Sequence, residues 1–161
     1  MIPIFLVILY LDFEYSNYIA LAVFIIAGLT DMADGLVARK RNQVTDFGKF
    51  MDPLADKILT FAAMLWFIEA GLMPAWLVLA VIIREFMVTG MRLVAAAKGR
   101  VIAATMSGKI KTCVTIACLV AMFLPLDLWM VIVCWVLIGA TTIISGAEYF
   151  IKNKDIMKLD K

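Results

Sequence analysis

Long apolar runs restrict the possible fold of this chain more than any other feature. Six of them occur along its 161 residues, at Ile2–Leu11, Tyr18–Ala38, Phe50–Ala70, Pro74–Val94, Ser107–Leu124 and Leu128–Phe150. A helix needs about 20 residues to cross about 30 Å of hydrocarbon, and the last five runs are close to or above that length. Because 65% of the residues are hydrophobic, a soluble domain of this size could not bury them. We therefore predict an all-α polytopic membrane protein, a bundle of six transmembrane helices forming one domain over residues 1–161.

The first apolar run, Ile2–Leu11, has about half the length of a membrane span. No Lys or Arg precedes it, so it lacks the basic start of a signal peptide. We interpret it as a first transmembrane helix that is truncated in this chain.

The basic residues predict the orientation in the membrane. All 15 Lys and Arg residues fall in or beside three segments, Arg39–Lys57, Arg84–Lys111 and Lys152–Lys161. The other connections contain only acidic charges, at Asp12, Glu14, Glu69 and Asp127. Cytoplasmic loops of membrane proteins are enriched in Lys and Arg. We therefore expect a multi-pass membrane protein with the three basic segments in the cytoplasm.

Five aspartates lie in the 27 residues from Asp31 to Lys57, between two apolar runs. Helical spacing places Asp31, Asp34 and Ala38 on one face of the second span. It likewise places Gly48, Asp52 and Asp56 on one face of the third span. Because the connection between these spans is short, we expect antiparallel neighbours whose carboxylates share a cytoplasmic cleft. Asp46 is off this pattern, and Thr45 or Asp46 is predicted to cap the third helix.

Four carboxylates in one cleft require protons or cations to offset their charge. The chain has no histidine, so a metal would be held by carboxylate oxygens, which favours Mg²⁺, Mn²⁺ or Ca²⁺ over zinc. Two divalent ions would balance four carboxylates, and paired ions are a recurring device for phosphoryl displacement. Gly35, Ala38 and Gly48 would leave space in the cleft, although small residues also serve plain helix packing.

The pattern Asp31-x-x-Asp34-Gly35-x-x-Ala38-Arg39, eight residues, then Gly48-x-x-x-Asp52-x-x-x-Asp56 resembles the signature of the CDP-alcohol phosphotransferase family at every position. The resemblance implies two Mg²⁺ or Mn²⁺ ions on Asp31, Asp34, Asp52 and Asp56, with Asp56 as the general base. It also implies a nucleotide-binding set formed by Asp34, Gly35, Ala38, Arg39 and Gly48. The donor would be CDP-diacylglycerol, the released nucleotide CMP, and the enzyme a homodimer with no nucleic-acid partner.

Three more segments are similar to the branch of this family that uses glycerol 3-phosphate as acceptor, namely Lys49–Lys57, Arg84–Arg92 and Gly108–Thr112. Serine, inositol phosphate and phosphatidylglycerol are the alternative acceptors within the family. Family members usually carry an Asn-Pro pair and an arginine before the first span. This sequence has no such segment, so that arginine's role has no counterpart among its residues.

Four basic residues are candidates for binding the acceptor's phosphate, and they are Arg84, Arg92, Lys109 and Lys111. Arginine offers forked donors that match phosphate, while lysine supplies a mobile charge. The structural alternatives are an ion pair of Arg84 with Glu85 or Glu148, and snorkelling of the two lysines.

A divalent-cation channel or carrier is the rival of a different class. It predicts acidic residues through the membrane depth, whereas these gather at one end. The three cysteines lie in apolar runs and are expected to be buried thiols.

Overall fold

The computed structural model describes the backbone of residues 2–11, 15–40, 46–97, 99, 102 and 105–154, and the side chains of residues 3–11, 15–30, 57–96, 99, 102 and 105–154. This part of the chain contains six helices and no strand. They are α1 (Ile2–Tyr10), α2 (Ser16–Lys40), α3 (Asp46–Glu69), α4 (Ala75–Ala97), α5 (Met106–Met122) and α6 (Leu128–Lys152).

Each of the six apolar runs forms one helix, so the all-α prediction is confirmed. The helix ends agree with the runs to within four residues, and the largest difference is the start of α3 at Asp46. That start is consistent with a cap at Thr45 or Asp46, although the capping side chains lie outside the described part.

One helix of the described residues is long and apolar enough, by length and composition, to cross a membrane, and it is Leu128–Lys152. A shorter apolar helical stretch covers Ser16–Thr30. α5 has only 17 residues, and α4 contains the charged residues Arg84, Glu85 and Arg92. The arrangement with six spans therefore stays a prediction.

Residues 1–72 and 120–125 form a first compact unit, in which α1, α2 and α3 pack against one another. Its centre is a cluster of aromatic rings from Phe5, Phe24, Trp66, Phe67 and Phe123. The centroids of neighbouring rings are 4.8–6.1 Å apart, within the range of favourable aromatic contacts. This cluster fixes the end of α2 and α3 that lies away from the connection between them.

The C-terminus of α3 is closed by a glycine in the left-handed region. Gly71 has φ +71°. Its amide donates to the carbonyl of Ile68 at 3.0 Å, and the amide of Leu72 donates to that of Phe67 at 2.8 Å. This pair of bonds is the Schellman arrangement, which satisfies the last carbonyls and stops the helix.

Residues 73–119 and 126–161 form a second compact unit, in which α4 packs against α6. Leu77, Val78 and Val81 of α4 and Ile138 of α6 are fully buried. A β-carbon at Gly139 would lie 3.4 Å from Cδ1 of Leu77, so the glycine allows close approach here.

The described residues combine an apolar core with a surface that also carries many large apolar side chains. Large apolar side chains point outward along α4 and α6, for example Trp76, Trp129 and Ile143. Glu85 and Lys111 are among the buried residues instead. Exposed apolar area of this extent is unusual for a soluble monomer and marks a face that contacts another apolar phase or a partner.

The cysteine prediction holds for two of three residues. Cys118 and Cys134 are buried free thiols, whereas Cys113 is exposed. The prediction was wrong for Cys113 because an apolar run shows that a helix lies in an apolar setting but not which of its faces packs inward.

Candidate anion-binding site

Two cations share one carboxylate oxygen inside the second unit. Oε1 of Glu85 accepts from Nη1 of Arg84 at 2.9 Å and from Nζ of Lys111 at 2.8 Å. The three side chains are only 11%, 10% and 6% exposed, in the order Arg84, Glu85, Lys111. The triad carries a formal charge of +1, so it is a buried cationic centre.

The pairing of Arg84 with Glu85 does not follow from helix spacing. Adjacent residues of a helix point about 100° apart and do not normally face each other. Two glycines lie next to this arginine: a β-carbon at Gly146 would be in van der Waals contact with Cγ of Arg84, at 3.4 Å, and one at Gly108 would lie 3.5 Å from Nη2. The arginine therefore lies in a slot lined by α5 and α6.

The donor geometry of Arg84 leaves one edge of its guanidinium directed away from Glu85. Nη1 contacts the carboxylate, and on the opposite edge Nε and Nη2 point to the same side. Nε is buried and has no hydrogen-bond partner among the described residues. A buried donor without an acceptor is costly, and this edge is the fork that binds phosphate or carboxylate groups in a bidentate manner.

The first turn of α5 lies beside this edge. The hydroxyl of Thr105 accepts from the amide of Gly108 at 3.2 Å, which is the bond of an N-cap residue. The hydroxyls of Thr105 and Ser107 are 3.1 Å apart. The positive end of the α5 dipole thus adds to the field of Arg84 and Lys111, and that combination favours an anion.

The other two predicted phosphate ligands have different surroundings. Arg92 is exposed, its Nε lies 3.4 Å from the hydroxyl of Tyr149, and its guanidinium carbon lies 5.7 Å from the centre of that ring. Lys109 is exposed as well. The structure therefore brings Arg84 and Lys111 together on Glu85, and it places Arg92 on Tyr149.

A second acidic residue of this unit, besides Glu85 of α4, is Glu148 on α6. Glu148 pairs with Lys152 one turn later. Of the two ion-pair partners considered for Arg84, the structure thus shows Glu85, while Glu148 bonds Lys152.

The aspartate pattern falls on two helices that contact each other. Asp31, Asp34, Gly35, Ala38 and Arg39 belong to α2, and Gly48, Asp52 and Asp56 belong to α3. The two helices pack together, and only residues 41–45 separate them. The side chains of residues 31–56 lie outside the described part. The metal and nucleotide sets therefore remain predictions, now on a pair of neighbouring helices.

Sequence reasoning named Glu85 only as an ion-pair partner of Arg84, and the structure confirms that pair. It named Gly108 only within a segment similar to the family, and it missed Gly146. The glycine at position 146 gave no signal, because its place beside Arg84 depends on how α4 and α6 pack.

These features define a helical protein whose second unit contains a buried triad of Arg84, Glu85 and Lys111. Residues 1–144 match the sequence model of CDP-alcohol phosphatidyltransferases. The chain therefore belongs to the CDP-alcohol phosphatidyltransferase family, as its aspartate signature predicted.

Curated relatives support a finer comparison. The CDP-diacylglycerol–glycerol-3-phosphate 3-phosphatidyltransferase of Bacillus subtilis (strain 168) is 44% identical over 177 aligned positions, which cover 98% of this chain and 91% of that protein. A protein of Mycobacterium tuberculosis named "Probable phosphatidylglycerophosphate synthase" is 35% identical, with coverage of 92% and 74%. The Rickettsia bellii protein with the same name as the Bacillus one is 32% identical, with coverage of 92% and 86%.

Proposed function

We propose that this protein transfers the phosphatidyl group of CDP-diacylglycerol to glycerol 3-phosphate, forming phosphatidylglycerol phosphate and CMP. Membership in the family supports the transfer chemistry, and the name of the Bacillus relative, which is similar along nearly the whole chain, supports the substrates. The reaction belongs to glycerophospholipid synthesis.

The buried pair of cations on Glu85 is the observation that favours a phosphorylated acceptor. Glycerol 3-phosphate is an anion that must approach a donor with a pyrophosphate and a set of aspartates. Arg84 and Lys111 supply a fork and a point charge at the start of α5, and these suit a phosphate. A neutral alcohol such as serine's hydroxymethyl group would have little use for such a centre.

The donor set fits divalent ions by its chemistry. Four aspartates on two packed helices are all-oxygen ligands, the type that Mg²⁺ and Mn²⁺ prefer. Asp31, Asp34, Asp52 and Asp56 would hold two such ions. When bound, these ions would neutralise the pyrophosphate and the charge that develops on CMP.

Asp56 is assigned the proton transfer. Its carboxylate takes the proton of the acceptor's primary hydroxyl, and the oxygen attacks the phosphorus that carries diacylglycerol. A new O–P bond forms, the bond from that phosphorus to the oxygen of CMP breaks, and CMP leaves with the bonding pair. Gly35, Ala38, Arg39 and Gly48 line the nucleotide side, together with Asp34.

The setting of the reaction follows from the charge pattern. The basic segments put the reacting end of the helices in the cytoplasm, where glycerol 3-phosphate is dissolved. The outward apolar faces of α4 and α6 suit lipid, so the donor's acyl chains stay in the bilayer. A homodimer, as the resemblance implies, completes this proposal.

The experiment is a CMP-release assay on the purified protein in detergent micelles. With Mg²⁺ or Mn²⁺, CDP-diacylglycerol and glycerol 3-phosphate, CMP should appear in step with a lipid product that carries two phosphates. Chelation should stop the release and added metal should restore it. Absence of CMP release with every alcohol acceptor would contradict the proposal.

A further inference from the structure

Glu85 is a buried carboxylate within the centre proposed to receive an anion. Its own charge repels a phosphate, so its contribution cannot be direct attraction. It nevertheless joins α4 to α5, because its Oε1 accepts from Nζ of Lys111 on α5 as well as from Nη1 of its neighbour Arg84. Glu85 therefore controls where the two cations lie and does not add to the positive charge that attracts a phosphate.

The two cations need such a constraint. The side chains of Arg84 and Lys111 have many rotamers, and two positive charges that share one carboxylate oxygen repel each other in a buried setting. Arg84 also adopts a direction that its position next to Glu85 on the helix would not by itself favour. With Nη1 held by Glu85, the opposite edge of the guanidinium faces the capped first turn of α5, where Gly108 lies.

The geometry points to Glu85 as a positioning residue that fixes Arg84 and Lys111 in the arrangement that binds the phosphate of the acceptor. This role rests on the proposed function, and it adds a residue that sets affinity for a phosphorylated acceptor without touching it. CDP-diacylglycerol binding is predicted to be independent of Glu85, because the nucleotide set lies on α2 and α3.

The test compares Glu85→Gln and Glu85→Asp with the native protein. The amide cannot offer one charged oxygen to both cations, whereas aspartate keeps the charge on a shorter side chain. Glu85→Gln should raise KM for glycerol 3-phosphate about tenfold or more, the loss expected for a charge-assisted hydrogen bond, with KM for CDP-diacylglycerol nearly unchanged. The KM of Glu85→Asp for glycerol 3-phosphate should lie between that of the native protein and that of Glu85→Gln. Inhibition by inorganic phosphate should weaken in parallel with the acceptor KM.

Glu69→Gln is the matched control. Glu69 belongs to the first unit, is exposed, and accepts from the hydroxyl of Tyr10, a bond that glutamine can also accept. The same change from carboxylate to amide there should leave both KM values unchanged. If Glu85→Gln cannot be purified folded, Glu85→Asp carries the test alone.

The outcomes separate this role from the proposed function. Native protein that releases no CMP with any acceptor would refute the function itself. Active native protein together with Glu85 variants that fold less well but keep the native acceptor KM would overturn the positioning role, since Glu85 would then serve stability only. An equal rise of both KM values would overturn it as well.

Discussion

Glu85 and Lys111 are 26 residues apart in the sequence, and their side chains form a 2.8 Å ion pair between α4 and α5. Arg84 shares the same carboxylate oxygen. Removing one member of such a buried set takes away charge compensation from the others, and this cost is the basis of the first prediction.

Glu85→Ala should lower the free energy of unfolding by about 3–5 kcal/mol, because two buried cations lose their acceptor. Thermal unfolding in detergent, or titration with a denaturing detergent, measures the change. Glu148→Ala is the control: Glu148 is 30% exposed and its partner Lys152 is 61% exposed. Breaking that pair should cost no more than about 1 kcal/mol. Equal losses in the two variants would contradict the described burial of the triad.

Gly146→Leu should displace Arg84 from its slot. A β-carbon at this position would already lie 3.4 Å from Cγ of Arg84, so the remaining atoms of leucine must compete with the arginine for space. We expect a higher KM for glycerol 3-phosphate in the folded protein. Gly139→Leu on the same helix is the control, since its neighbour is Leu77. That control should lose stability but keep the native KM, and a raised acceptor KM in both variants would argue against a specific effect on Arg84.

Arg92→Ala should raise KM for glycerol 3-phosphate more than KM for CDP-diacylglycerol. Arg92 is exposed and is held only by Tyr149, at 3.4 Å, among the described contacts. It can therefore turn toward an incoming phosphate at little cost. Tyr149→Phe keeps the ring beneath the guanidinium and removes only a long hydrogen bond, so it should change the acceptor KM by less than about threefold. Steady-state kinetics with each substrate varied in turn measure the two KM values. Equal effects of Arg92→Ala on both KM values would exclude a role limited to the acceptor.

Asp56→Asn should abolish turnover while CDP-diacylglycerol still binds. The amide cannot accept the proton of the attacking hydroxyl, and a lost general base typically costs about 10²–10⁴ in rate. Single-turnover CMP release measures the chemistry, and equilibrium binding of labelled donor measures the complex. Asp46→Asn, outside the signature, provides the comparison and should stay active. Near-native turnover in Asp56→Asn would refute the assignment of the base.

Local pattern predicted the helices well because each apolar run contains the information for its own helix. The runs at Pro74–Val94 and Leu128–Phe150 correspond to α4 and α6 with shifts of at most three residues at their ends. The spacing of Asp52 and Asp56 likewise needs only one helix, so the signature could be recognised and the family match bears it out.

Contacts between distant segments could not be predicted in this way. From the sequence, Glu85 was considered only as a possible partner of Arg84. No sequence pattern connects Glu85 to Lys111, which lies on another helix. Gly108 and Gly146 are 38 positions apart and acquire a common role only because both face Arg84. The direction of a helix face decides such contacts, and it depends on the packing of the whole unit.

The most direct measurement is an acceptor panel on the purified native protein, with CDP-diacylglycerol and Mg²⁺ or Mn²⁺ in every reaction. Glycerol 3-phosphate, serine, inositol phosphate and phosphatidylglycerol are supplied one at a time, and CMP and the lipid product are measured together. We predict CMP release with glycerol 3-phosphate at a rate far above that with the other three, and phosphatidylglycerol phosphate as the lipid formed. A clear preference for any other acceptor, or no CMP with all four, would contradict the assigned function.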